Sequence, residues 1–232
     1  MSRHRNETYT CPKCGHTQEF LMWESVNVQL NPEMKEKILD RSFFSQTCDI
    51  CGTIAQVLYT FLYHDMEARL MVYIVSAKEP DELERHIKEI NKFSDMLTNP
   101  PNDEIDALVG SIKDEYTLRI VTDYNQLLEK IYIFRNGLDD RLVEMYKLYS
   151  FVQKMDQLKD KNVNAIYFDE SRGDGHKIVV VLDNGDVGTL DFSMEFYNIL
   201  HAEKMDIIEA NTPKGYCMID QQWATGIISK RS

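Results

Sequence analysis

Val26, Val28 and Leu30 alternate with Ser25, Asn27 and Gln29, which predicts a strand over Thr17–Leu30. A short helix should follow. Asn31 stands at the N-cap, Pro32 suits the first helical position, and Glu33 suits the positive end of the dipole. Met34 and Ile38, four apart, give that helix one apolar face. The chain returns through Phe43 and Phe44, and two more strands are expected at about Thr53–Tyr63 and Ala68–Val75. The polar turn His64-Asp65-Met66-Glu67 joins them. Gln56 and Thr60 are the clearly polar residues of the first of these strands, so both its faces should be covered. With the strand before the helix, this predicts a three-stranded antiparallel sheet.

Pro80 and Asp81 open an amphipathic helix carrying Leu83, Ile87, Ile90 and Leu97, and Asn99-Pro100-Pro101-Asn102 stops it. Residues 99–115 are acidic and turn-rich, the expected mobile connection. A strand near Tyr116–Val121 leads to Asp123 and Gln126, which form a capping-box pattern for a helix ending near Phe134. Asn136-Gly137 closes that helix, and Asp139 or Asp140 caps the next, which carries Leu142, Met145, Tyr146, Tyr149, Val152 and Met155. The composition shifts at Lys159-Asp160-Lys161-Asn162. Strands are then expected at Ala165–Phe168, Lys177–Leu182 and Val187–Asp191, the last two joined by the hairpin turn Asp183-Asn184-Gly185-Asp186. Ser193 caps a helix to about His201, with Phe192 and Tyr197 placed as a hydrophobic staple. The closing stretch through Trp223, Ile227 and Ile228 is apolar enough to dock.

The expected architecture is therefore α+β. Its N-terminal module extends into an antiparallel sheet packed with helices, over residues 1–158, and a smaller α+β domain occupies residues 159–232. The net charge of −12 argues against a general nucleic-acid binder. That charge is uneven: −1 over residues 1–78, −7 over 79–156 and −4 over the remainder. The near-neutral first part holds a small basic patch at Arg3, His4, Arg5 and Lys13, the one feature that favours nucleic-acid contact. No apolar run is long enough to cross a bilayer, the N-terminus has no secretory pattern, and the cysteine usage suits a reducing compartment, so the protein is expected in the cytoplasm.

Four of the five cysteines stand in two matched pairs, Cys11-Pro12-Lys13-Cys14-Gly15 and Cys48-Asp49-Ile50-Cys51-Gly52. An i, i+3 turn brings two sulfurs within reach of one ion. Glycine after the second cysteine permits the positive φ that turns backbone N–H groups toward them. Two such knuckles supply four soft thiolates, enough to close a tetrahedral Zn2+ site, so Cys11, Cys14, Cys48 and Cys51 are the expected metal ligands. Free thiols or a thioredoxin-type redox pair are the competing readings; the latter needs a βαβ context that neither pair shows. The 33 residues between Cys14 and Cys48 exceed what a minimal zinc ribbon needs. On these two motifs and the strand pair that follows them, the chain resembles the bacterial CpXC domain family. Ile133-Phe134-Arg135-Asn136-Gly137-Leu138-Asp139-Asp140-Arg141 also looks like that family's later helix-turn-helix signature. The resemblance covers about the first 140 residues. It implies four cysteines as metal ligands and carries no established biochemical activity. The second pair departs from the pattern, with Asp49 where proline would stand.

His16 could replace a thiolate, but with four cysteines present it reads as a polar residue flanking the knuckle. Cys217, between Tyr216 and Met218, reads as a buried structural thiol. The run from Phe168 to His176 has oxygen ligands in a glycine loop, yet Val180 stands where an EF-hand needs glutamate, so it reads as a hairpin turn. Asp139 and Asp140 read as helix caps rather than an acid/base pair. No Gly-x-Ser-x-Gly, Walker A, Rossmann or His-Glu-x-x-His motif is present, which weighs against an enzyme. The expected function is a zinc-stabilised scaffold or adaptor that binds another protein, with no membrane or nucleic-acid partner and with homo-oligomerisation left open. The alternatives are an enzyme with a site between the two domains, and a thiol/zinc redox sensor.

Overall fold

The structure, a computed structural model, describes residues 2–77, 79–98, 116–154, 162–171, 173 and 175–229, with the side chains of 93–98 left out. The acidic stretch at 99–115, Met155 and the expected boundary at 158/159 lie outside these residues. The architecture is α+β, and its contacts cluster in two units, Met1–Tyr124 and Asn125–Ser232.

The first unit begins with the antiparallel hairpin β1 (Arg3–Thr10) and β2 (Thr17–Asn27). Helix α1 (Pro32–Leu39) follows, then a small hairpin of β3 (Ser45–Thr47) and β4 (Ile54–Gln56). Strands β5 (Phe61–Asp65) and β6 (Leu70–Ile74), helix α2 (Pro80–Thr98) and β7 (Thr117–Val121) complete it. The five-stranded sheet runs β1-β2-β5-β6-β7. It is mixed rather than antiparallel throughout: β2 meets β5, and β6 meets β7, in parallel. The cause is the connection. Between β2 and β5 the chain inserts α1 and the β3–β4 hairpin, a crossover long enough to bring β5 back alongside β2 in the same direction.

The single strand expected at Thr53–Tyr63 is two strands in different sheets. β4 pairs with β3, residues 57–60 leave strand geometry as Val57 N–H donates to Phe44 O, and β5 joins the main sheet. In β5 and β6 alternate residues are buried, Phe61, Tyr63, Val72 and Ile74 completely, while the opposite face is half-buried rather than fully covered. Ile38 fills the core from α1 as its period predicts. Asn31 precedes α1 but makes no side-chain cap; its carboxamide oxygen accepts from the Ser2 hydroxyl at 2.6 Å. Phe44 packs edge-on to Phe43, Tyr59 and Tyr124. The Tyr124 hydroxyl donates to Ile38 O. Along α2, Leu83, Ile87 and Ile90 are half-buried.

The second unit holds α3 (Tyr124–Arg135), which starts on the last residue of the first, α4 (Asp140–Gln153), the antiparallel meander β8 (Val163–Asp169), β9 (Lys177–Leu182) and β10 (Val187–Asp191), and helices α5 (Met194–Asn211) and α6 (Gln221–Ser229). Helix α4 packs against α5, α6 and β8. The local signals act as expected. Leu138 N–H reaches back to Ile133 O across Gly137 at φ +65°, a Schellman closure. Ser193 Oγ accepts from Phe196 N–H, and the rings of Phe192 and Tyr197 lie 5.9 Å apart as a staple. Asp139 caps α4 through Arg141 N–H, whereas Asp140 is no cap: it is fully buried, 2.8 Å from Lys130 Nζ.

Asp140 belongs to a buried cluster of five charged side chains. Lys130 also donates to Ile219 O, while Lys147 meets Glu129 at 2.8 Å and Glu144 at 2.7 Å. Glu129 additionally accepts from Phe168 N–H. The cluster thereby ties α3, α4, β8 and the segment before α6 to one another. Burying charge is tolerated only because every group has a partner of opposite sign or a backbone dipole.

Candidate metal centre

Each cysteine pair sits at the tip of a hairpin, and the two tips are built alike. At the first, Cys11 N–H donates to His16 O at 2.8 Å and Gly15 N–H to Cys11 O at 3.0 Å. At the second, Cys48 N–H donates to Thr53 O at 2.9 Å and Gly52 N–H to Cys48 O at 2.9 Å. Gly15 and Gly52 take φ of +71° and +66°, the left-handed turn that a side chain would oppose. The proline-to-aspartate difference between the pairs leaves this geometry unchanged.

The hairpins are held tip to tip by one side chain and a small core. Gln18 on β2 donates to Thr47 O at 2.9 Å and accepts from Asp49 N–H at 3.0 Å, so a single carboxamide bridges to the second knuckle. Tyr9, Phe20, Cys11 and Cys48 are buried together, with Met22, Ala55, Val57 and Tyr59 packed against them. As a result, four sulfurs separated by up to 40 positions in sequence lie within 4.8 Å of one another. Cys11 Sγ is 3.7 Å from Cys51 Sγ, and Cys14 Sγ is 3.6 Å from Cys48 Sγ, far beyond disulfide length. All five cysteines are free thiols.

The surroundings are arranged for sulfur that carries charge. Backbone N–H groups of Cys14 and Lys13 face Cys11 and hold its thiol below the ordinary range. The Thr53 hydroxyl lies 3.2 Å from Cys51 Sγ, and with the Thr53 N–H it holds that thiol down at about 6. Cys14 goes the other way. The His16 N–H favours its thiolate, but burial and the three neighbouring sulfurs push it up to about 12. Four sulfurs this close repel as thiolates, so an ionised set calls for a cation among them. Four soft donors converging from two rigid turns can hold a metal ion.

His16 contributes its backbone to the knuckle, and its ring is not among the converging ligand atoms. Cys217 is buried in the second unit and is not among the converging ligand atoms. The loop between β8 and β9 is anchored by Glu170, which accepts from Arg135 and Asn136; Arg172 and Asp174 lie outside the described residues. Two contributors escaped the sequence reading. Gln18 gives no signal in a polar stretch of strand. Strand β1 carries the basic residues Arg3, His4 and Arg5, and its sequence signal is Tyr9, an apolar anchor beside the first cysteine that marks a strand entering the knuckle.

A four-cysteine, zinc-ribbon-like module built on paired hairpins, extended by a mixed sheet, defines the class of the first unit. The model of the CpXC protein family matches residues 9–147, more than half of the chain, and the protein belongs to that family. The match runs through both cysteine pairs and ends on Lys147, the last member of the buried charge cluster. Searches of curated proteins and of solved structures each return no match.

Proposed function

We propose that this CpXC protein is a cytoplasmic, zinc-stabilised scaffold or adaptor that acts by binding another protein. The observation that carries the metal half of this reading is the spacing of the sulfurs. Thiolates bound to zinc at about 2.3 Å sit about 3.8 Å apart on the edges of a tetrahedron, and two cross-knuckle pairs here, Cys14 with Cys48 and Cys11 with Cys51, are at 3.6 and 3.7 Å. Cys11, Cys14, Cys48 and Cys51 would hold the ion. Four protein ligands leave no open position, so the bound metal would supply folding free energy rather than a reactive centre. Free thiols throughout and the absence, among the described residues, of any helix long and apolar enough to cross a membrane support the reading of the compartment.

Support for the protein-binding half comes from the β3–β4 hairpin, where Ile50 on the knuckle turn and Ile54 at the start of β4 stand 70% and 67% exposed. Apolar side chains carried on a rigid turn cost little entropy on docking. The test of the metal half is Cys48→Ser. The variant is expected to lose its metal and to unfold at least the β1–β4 module. Full metal content with an unchanged melting curve would overturn the assignment.

A further inference from the structure

Strand β1 lies at the end of the sheet, and among the described residues nothing pairs with its outer edge. Which backbone groups that edge offers follows from the register. Cys11 N–H donates to His16 O, and Thr10 stands opposite Thr17, Tyr9 opposite Gln18, and so on to Arg5 opposite Met22. Hydrogen-bonded pairs alternate along an antiparallel ladder, so Tyr9, Glu7 and Arg5 turn their N–H and C=O groups toward β2. Those of His4, Asn6 and Thr8 turn outward. The strand has eight residues and no proline, and its one irregularity sits at Arg3/His4, leaving the rest straight. A long, regular, unpaired edge is a template for another strand. The opposite edge of the hairpin is engaged: Trp23 N–H approaches the Tyr59 hydroxyl, and Gln18 holds the second knuckle.

The side chains say which strand fits. Arg5 and Glu7 lie on one face of β1, 39–55% exposed, with Arg5 Nε donating to Glu7 Oε1 at 2.6 Å. Set against a copy of itself, antiparallel with Asn6 opposite Asn6, β1 places each Arg5 across from the Glu7 of the other copy. The two Arg5 and two Glu7 side chains then alternate around a square, each Arg5 also donating to Glu24 of its own copy at 2.7 Å. The same register puts His4 opposite Thr8 and matches outward backbone groups with outward backbone groups. Centring on Arg5 or Glu7 would set like charges face to face, and a parallel pairing in register would do so at both positions.

We propose that a second copy of this chain pairs antiparallel with the open edge of β1, giving a twofold dimer with one sheet continuous across both copies. This names one partner for the protein-binding reading above, while metal content is measured separately, so the two can fail independently.

Sedimentation of the full chain over a range of concentrations tests the proposal. A reversible dimer is expected. Glu7→Arg sets two repulsive pairs in place of two attractive ones and should weaken it about tenfold. Asn6→Pro removes an outward N–H that β2 does not use and should abolish dimerisation while the metal is retained. Hydrogen exchange on the unaltered chain makes the same test without a variant. The amides of His4, Asn6 and Thr8 should become protected as concentration rises, and those of Glu7 and Tyr9 should be protected throughout. A monomer at every concentration, a dimer that Asn6→Pro leaves intact, or concentration-dependent protection located elsewhere would overturn it.

Discussion

Lys130 Nζ lies 2.8 Å from Asp140 Oδ2, with 2% and 0% of the two side chains exposed. An ion pair so far from water is expensive to form and more expensive to break, because removing one partner strands the other charge. Asp140→Ala should therefore cost about 3–5 kcal/mol. Replacing both, as Lys130→Met with Asp140→Leu, should recover much of that loss. Denaturant unfolding followed by Trp223 fluorescence, in a Trp23→Phe background, reports on the second unit. An Asp140→Ala variant as stable as the parent would contradict the described packing.

The same cluster makes stability depend on pH. Glu129, Asp140 and Glu144 face Lys130 and Lys147, so full ionisation leaves one negative charge in excess. Burial pushes the Glu144 carboxyl up to about 7, against the pull of Lys147, with Glu129 adding to the rise. A carboxyl raised above its ordinary 4.5 holds its proton better folded than unfolded. Stability should thus fall as pH rises from about 4.5 to 7, by up to about 1.4 kcal/mol per pH unit, and then level off. Glu144→Gln should flatten this slope and be at least as stable as the parent at pH 8, which melting at several pH values would show. A slope unchanged by Glu144→Gln would assign the dependence to another group.

Asp65 in the first unit works in the opposite sense. Burial alone would raise its carboxyl, but the Ala68 N–H, Lys35 and Gln29 outweigh it and hold Asp65 down at about 2. Tyr63 adds a hydrogen bond at 3.0 Å and Lys35 an ion pair at 2.8 Å. A carboxyl lowered from 3.8 gives stability that is full above that value and lost as pH falls through about 2. With Lys35 part-exposed, that stability is about 1–2 kcal/mol. Acid unfolding monitored through Trp23, in a Trp223→Phe background, should therefore shift to higher pH in Asp65→Asn. Coincident acid transitions for the two proteins would count against the role.

What the sequence makes legible here is local, and what it hides is tertiary. Cys11-x-x-Cys14-Gly15 and Cys48-x-x-Cys51-Gly52 carry their own turn geometry, and Ser193, Asp139 and Gly137 mark helix ends through interactions within a few residues. Strand direction is another matter. β2 and β5 pair in parallel because α1 and the β3–β4 hairpin intervene, and no residue within either strand records that. The break at residues 57–60 is hidden for a similar reason, since Val57 leaves one sheet by bonding to Phe44. Glu129, Lys130, Glu144 and Lys147 escape notice because charges on a helix ordinarily mark its wet face. The clue lies in their company: Leu127, Leu128, Ile131, Tyr132 and Ile133 surround the first pair, and every residue from Leu127 to Ile133 is buried. Charges in such a helix must find partners inside.

The central claim is that the four cysteines share one structural zinc ion. The most direct measurement is zinc per chain on protein purified in reducing buffer, by elemental analysis, repeated on Cys48→Ser. The account predicts one zinc per chain in the parent and none in the variant. No metal in the parent, with four thiols open to titration, would contradict it and bring thiol redox chemistry to the fore.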